Sequence, residues 1–107
     1  MDISTQIEGD VLQTLLDTFG MEEQLLQTSG ECGKLIAVIQ NYLRAVKFKH
    51  RSETFADVID KLVDVYFMIQ QIRHIDPELF DETCKSKMIK VYRKLEDEGK
   101  MPNGDPV

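Results

Sequence analysis

The chain has 107 residues, of which 42% are hydrophobic and 30% charged, with only 6 Gly and 3 Pro. That is one domain's worth of sequence, too apolar to stay disordered and small enough that pairing with a second copy would help to bury a core. The formal net charge of −6 repels polyanions and argues against a broad DNA- or RNA-binding surface, while leaving room for a small anion held in a local basic pocket.

No segment alternates with a period of two between turn signals, so the expectation is an all-α protein. A first short helix is predicted from Asp10 to Thr18, through Val11, Leu12, Leu15 and Leu16, stopping at Gly20. A second carries the stripe Leu25, Thr28, Cys32, Leu35, Ile39, Tyr42 and Val46, whose three-four spacing marks one buried face. Polar and basic residues from Lys47 to Arg51 end it, and Ser52 is a candidate N-cap for a third helix with Phe55, Val58, Leu62, Val65, Ile69 and Ile72 inward. Asp76, Pro77 and Glu78 then supply an N-cap, a first-turn proline and a first-turn acid for a fourth helix, with Phe80, Cys84, Met88, Val91 and Leu95 inward. The expected architecture is an antiparallel bundle of about four helices forming a single domain over 1–98, followed by a flexible tail over 99–107.

The amino terminus shows no basic region followed by an apolar one, and no stretch is long enough to span a bilayer, which points to a cytoplasmic protein without a membrane partner. Cys32 and Cys84 are too few for a disulfide framework and fall in apolar patterns, where a thiol behaves as a small hydrophobe.

Beside the apolar stripes run polar ones. The second helix carries Gln24, Gln27, Glu31 and Lys34, and the third carries Asp57, Lys61, Asp64, Met68 and Gln71. Residues three apart share a helix face, so in an antiparallel pair Glu31-x-x-Lys34 and Lys61-x-x-Asp64 bring two carboxylates and two ammonium groups to one place. Boundary charges are most often solvated or paired across helices. Against that ordinary reading stand Gly30 and Gly33, each costing roughly 1 kcal/mol inside a helix and so calling for a close approach by a helix or a ligand. Basic groups also concentrate at Lys85, Lys87, Lys90 and Arg93.

The runs FGMEEQLLQTSGECGKLIAVIQNYLR, FADVIDKLVDVYFMIQQI and KSKMIKVYRKL resemble the all-α nucleoside triphosphate pyrophosphatases, the MazG-like superfamily, and among them its short phage-type members. The resemblance spans roughly residues 19 to 95. It implies a homodimer or higher homo-oligomer and a nucleotide-sized pocket between the second, third and fourth helices. That family carries Glu-Glu-x-x-Glu on one helix and Glu-x-x-Asp on the next, which hold Mg²⁺ for cleavage between the α and β phosphorus atoms. Here the motifs stand as Gly30-Glu31-x-x-Lys34 and Lys61-x-x-Asp64, leaving only Glu31 and Asp64 of the expected acids.

Glu31, Lys34, Lys61 and Asp64 sum to no charge, a poor setting for a divalent cation. An ammonium can pair with a phosphate, but it does not generate hydroxide. The first expectation is therefore a protein without a metal or other cofactor that binds a nucleotide without cutting it. Gln24, Gln27, Glu31, Lys34, Lys61, Asp64, Lys87 and Lys90 would contact the ligand, with Gly30 and Gly33 making room. The phage resemblance suggests a sponge for host nucleotide immune signals such as ADP-ribose-type or cyclic dinucleotide messengers. The second is an active Mg²⁺-dependent pyrophosphohydrolase on a shifted acid set, Glu31, Asp60 and Asp64. The third is a structural module in which Glu31 simply pairs with Lys34 or Lys61.

Overall fold

A computed structural model of the chain describes residues 3–48 and 53–102. Among them there is no strand, and three α-helices account for almost every residue: α1 (Ile3–Phe48), α2 (Phe55–Ile75) and α3 (Pro77–Asp97). The chain divides into two compact units, Met1–Ile75 and Asp76–Val107. Within the described residues no helix is long and apolar enough to cross a membrane.

The expected stop at Gly20 is present as a break inside α1, and the first and second expected helices are joined across it in one element, so that three elements stand in place of four. Gly20 has φ 78° and ψ 165°, a conformation essentially restricted to glycine. The chain turns there and re-enters helix at Met21 with no loop between. A side chain at this position meets no neighbour, so the cost of adding one is purely conformational. Gly20→Ala is expected to lower stability by about 1–3 kcal/mol, measured by urea denaturation; an unchanged midpoint would show that the kink relaxes freely.

After the break, α1 runs antiparallel to α2. Gln24 lies opposite Gln71, Glu31 opposite Lys61, and Tyr42 opposite Phe55, whose ring centroids are 5.9 Å apart. Before the break, Gln13 Oε1 meets His74 Nε2 at 2.8 Å, tying the first segment of α1 to the last turn of α2. Among the described residues Ala45, Val58 and Val65 are the buried apolar side chains, and Gln24 and Gln71 are buried as well.

The start of α2 is a reciprocal cap. Thr54 Oγ1 accepts from the Asp57 backbone N–H at 3.3 Å, while Asp57 Oδ2 accepts from the Thr54 backbone N–H at 2.8 Å and from its hydroxyl at 3.0 Å. This is the capping-box arrangement with aspartate in the glutamate position. It makes Thr54 the N-cap in place of Ser52, which lies outside the described residues. The hydrogen bonds from the Thr54 backbone and then its hydroxyl hold the Asp57 carboxyl below its ordinary range.

The buried faces are rotated slightly from those expected. On α1, Gln24 and Ala45 are buried where Leu25 and Val46 were expected, and both of the latter are exposed. On α2, Val58 and Val65 are buried as expected, whereas Phe55, Leu62 and Ile69 are exposed. The reason is that α2 is apolar on two sides. One side meets α1, and the other carries Ile59, Leu62, Val63, Tyr66 and Ile69 along a shallow apolar groove of about 440 Å³.

The second unit is α3 with its caps. Asp76 accepts from the Leu79 backbone N–H at 3.0 Å and Pro77 opens the helix, as the sequence predicts. At the other end Gly99, with φ 69°, closes it, and the Lys100 N–H returns to the Leu95 carbonyl at 2.8 Å. The first residues of the expected tail thus form a helix cap, and residues 103–107 lie outside the described part. No residue of α3 is buried; of its expected inward stripe, Cys84, Met88 and Val91 are exposed. Cys32 is half-buried.

Candidate functional site

The polar stripes of α1 and α2 meet as the three-residue spacings require. Lys34 Nζ lies 3.3 Å from Glu31 Oε1, Lys61 Nζ lies 3.2 Å from Glu31 Oε2, and the same Lys61 Nζ lies 3.0 Å from Asp64 Oδ2. The four side chains form one chain of alternating charge, with Lys61 at the centre. Its side chain is only 20% exposed, whereas that of Lys34 is 64% exposed. One lysine is enclosed by its partners and the other stands in solvent.

The shared protons shift both central groups. Hydrogen bonds from Lys61 first and Lys34 second hold the Glu31 carboxyl below its ordinary value of 4.5. Hydrogen bonds to Asp64 first and Glu31 second hold the Lys61 ammonium above its ordinary 10.5. The Glu31 contribution to stability is present above pH 4.5 and is lost as the pH falls through its lowered value. That of Lys61 is complete below 10.5 and is lost as the pH rises through its raised value. Across the neutral range the charge chain is closed.

Beside it lies a groove of about 450 Å³, lined by Gln27, Gly30, Glu31, Lys34, Asp64, Phe67 and Met68. That volume is in the range of small-molecule sites. The groove combines polar groups on one side with an aromatic ring and a thioether on the other. Phe67 is the residue that periodicity alone passed over. It stands three residues after Asp64, so the spacing that paired Lys61 with Asp64 also marks Phe67 as the next residue on that face.

Of the expected ligand contacts, Gln27, Glu31, Lys34 and Asp64 line this groove, and Lys61 ties two of them together without lining it. Gln24 does not belong to the site. It is 1% exposed and donates from Nε2 to Gln71 Oε1 at 3.0 Å, so it is a core residue. The residues lining the groove come from α1 and α2, and Lys87 and Lys90 are exposed side chains of α3, in the second unit. The shifted acid set is not assembled either. Among the described residues no three His, Cys, Asp or Glu side chains come together as a cation site, and Lys61 stands between Glu31 and Asp64.

The two glycines separate. Gly30 lines the groove and Gly33 does not, and an added Cβ at either meets nothing within 4 Å among the described residues, so α2 makes no close approach there. Nothing in the structure explains Gly33. Gly33→Ala is expected to stabilise the protein by about 0.5–1 kcal/mol, the helix-propensity gain at an open position. Gly30→Ala is expected to gain about as much on the same ground while placing a methyl group in the groove. Chemical denaturation of both variants checks this; a loss of stability in either would reveal a contact the open space does not suggest.

Neither a known protein family, nor a curated protein, nor a solved structure matches this chain. As it stands, the groove offers a displaceable ammonium at Lys34, carboxylate acceptors at Glu31 and Asp64, an amide at Gln27 and an apolar wall of Phe67 and Met68. Those groups can bind an anion, accept from hydroxyl or amino groups, and stack a flat ring.

Proposed function

We propose that this chain is a non-catalytic nucleotide-binding protein that holds a nucleotide, or a signal derived from one, in the groove between α1 and α2, and acts by sequestering it. The observation that carries the reading is the position of Lys61 Nζ, 3.2 Å from Glu31 and 3.0 Å from Asp64. An ammonium group occupies the point where two carboxylates converge, the place a divalent cation would need. In the MazG-like pyrophosphatases that the sequence resembles, acids take the positions of Lys34 and Lys61, and the bound Mg²⁺ activates water. With lysines there, the electrostatics favour holding a phosphate over cutting one. The phage character of the resemblance extends the proposal to a sponge for host messengers of the ADP-ribose or cyclic dinucleotide type.

Mass spectrometry of the protein purified from cells and then denatured tests this reading, together with incubation of the protein with nucleoside triphosphates and Mg²⁺. The expected results are a copurifying nucleotide and no pyrophosphate. Pyrophosphate release that disappears in Asp64→Asn would instead favour a Mg²⁺-dependent pyrophosphohydrolase.

A second reading has its own support. Each carboxylate and each ammonium in the charge chain already has a partner, as a purely structural clasp between α1 and α2 requires. A nucleotide at a hundredfold excess over its dissociation constant adds about 2.7 kcal/mol of stability. A clasp with no ligand would show no such rise with any nucleotide.

The exposed apolar side of α2, with Ile59, Leu62, Val63, Tyr66 and Ile69, supports the further proposal of a homodimer or higher homo-oligomer. A helix apolar on two sides needs cover on both. Sedimentation equilibrium is expected to give at least twice the 12.3 kDa chain mass; a stable monomer that keeps its helical content would end this proposal.

A further inference from the structure

Resting on the nucleotide reading above, we infer that the groove selects a nucleotide whose phosphate is a singly charged diester, and disfavours one ending in a mono-, di- or triphosphate. The number of ammonium groups that the charge chain can release sets this preference. Lys61 cannot be released, because its Nζ is the partner of both Glu31 Oε2 and Asp64 Oδ2. Turning it toward a ligand would leave Asp64 without its ion pair and Glu31 with Lys34 alone, and Lys61 does not line the groove. Lys34 differs: its one ion pair among the described residues, at 3.3 Å, is to Glu31 Oε1, and Glu31 keeps Lys61 if Lys34 swings away. The long exposed side chain has the freedom to do so.

One ammonium is therefore available, and it matches one negative charge. Once Lys34 is engaged by a phosphate, Glu31, Lys61 and Asp64 together carry one net negative charge beside the ligand. A diester phosphate balances Lys34 and adds nothing more. A terminal phosphate carries about −1.5 to −2 at neutral pH, and each further phosphate adds to the excess against two nearby carboxylates. Asp57 and Asp60, two turns and one turn before Asp64 on α2, and the chain's net charge of −6 act in the same direction.

The remaining lining agrees with a ligand of that kind. Asp64 pairs through Oδ2, and its second oxygen can accept from a ribose hydroxyl or a base amine. The half-exposed ring of Phe67 offers a stacking surface for a base. The groove volume of about 450 Å³ accommodates a mononucleotide unit of a larger messenger as well as a cyclic mononucleotide.

Calorimetric titration of the full chain with adenosine 3′,5′-cyclic monophosphate, AMP and ATP, and with their guanosine counterparts, tests the inference at low and at high salt. The expected order is cyclic monophosphate tightest and triphosphate weakest, separated by about tenfold or more at low salt and by less at high salt. Lys34→Gln is expected to remove most of the cyclic nucleotide's advantage while leaving the helical signal intact, and Lys34→Arg to restore it. A triphosphate that binds as tightly as the diester, or more tightly, overturns the charge inference and leaves the nucleotide reading standing. Failure of all six compounds to bind overturns the charge inference, and the absence of any copurifying nucleotide then overturns the nucleotide reading as well.

Discussion

Replacing Lys34 and Lys61 together by glutamate is expected to create a divalent-cation site beside Glu31 and Asp64. Lys61 Nζ lies within 3.3 Å of a carboxylate on each helix and Lys34 Nζ within 3.3 Å of Glu31, so carboxylates in their places would join Glu31 and Asp64 in one cluster. The local charge would fall from zero to minus four. Four oxygen ligands converging from two packed helices suit a hard cation such as Mg²⁺ or Ca²⁺. The expected dissociation constant is roughly 10⁻⁴ to 10⁻³ M, as for weak oxygen-ligand sites. Without the cation the double variant should melt below the wild type, since like charges then face one another across the helix pair. Adding Mg²⁺ or Ca²⁺ should restore the melting temperature, and the wild type should show no such response. A double variant that keeps its helical signal but ignores both cations would mean that the lysine nitrogens do not mark a cation's position.

That experiment depends on a pairing readable in the sequence from spacing alone. Glu31-x-x-Lys34 and Lys61-x-x-Asp64 each place two charges on one helix face, and the structure joins them because α1 and α2 run antiparallel with Glu31 opposite Lys61. Gly20 was legible for a different reason. Its conformation, φ 78° and ψ 165°, admits almost no other residue, so a glycine at the end of an apolar run marks a break. The sequence does not show that helix resumes at once, because nothing local distinguishes a kink from a loop.

Rotation of the helices was the harder quantity. Periodicity identifies residues that share a face, but it does not say which face meets the neighbour when a helix is apolar on two sides. On α2 the stripe containing Leu62 and Ile69 and the one containing Lys61, Asp64 and Met68 compete for α1. The second wins, with Val58 and Val65 common to both outcomes. The same rotation moves Gln24 from an expected site residue into the core and leaves Leu25 outside. It also turns Phe67 toward the groove. Ser52 and Thr54 both offer an N-cap hydroxyl, and Asp57 decides between them, since its carboxylate is three residues from Thr54 and completes the reciprocal cap.

The glutamine pair produced by that rotation leads to the second large effect, a reversal of sign between a single and a double substitution. Gln24 Nε2 donates to Gln71 Oε1 at 3.0 Å, while Gln24 Oε1 is buried with no partner among the described residues. Gln71→Leu removes the acceptor and leaves both ends of the Gln24 amide buried and unpaired, at an expected cost of about 1–3 kcal/mol. Gln24→Leu removes the orphaned oxygen but strands Gln71 Oε1, so the two changes offset and stability should stay near that of the wild type. The double variant removes every unpaired group and fills the space with a side chain of similar volume, and it should be the most stable of the four. Urea denaturation of the wild type, both singles and the double closes the cycle. A double variant less stable than Gln71→Leu would show that the amide pair fixes the register of α1 on α2, a role that leucine, with no directional contact, cannot fill.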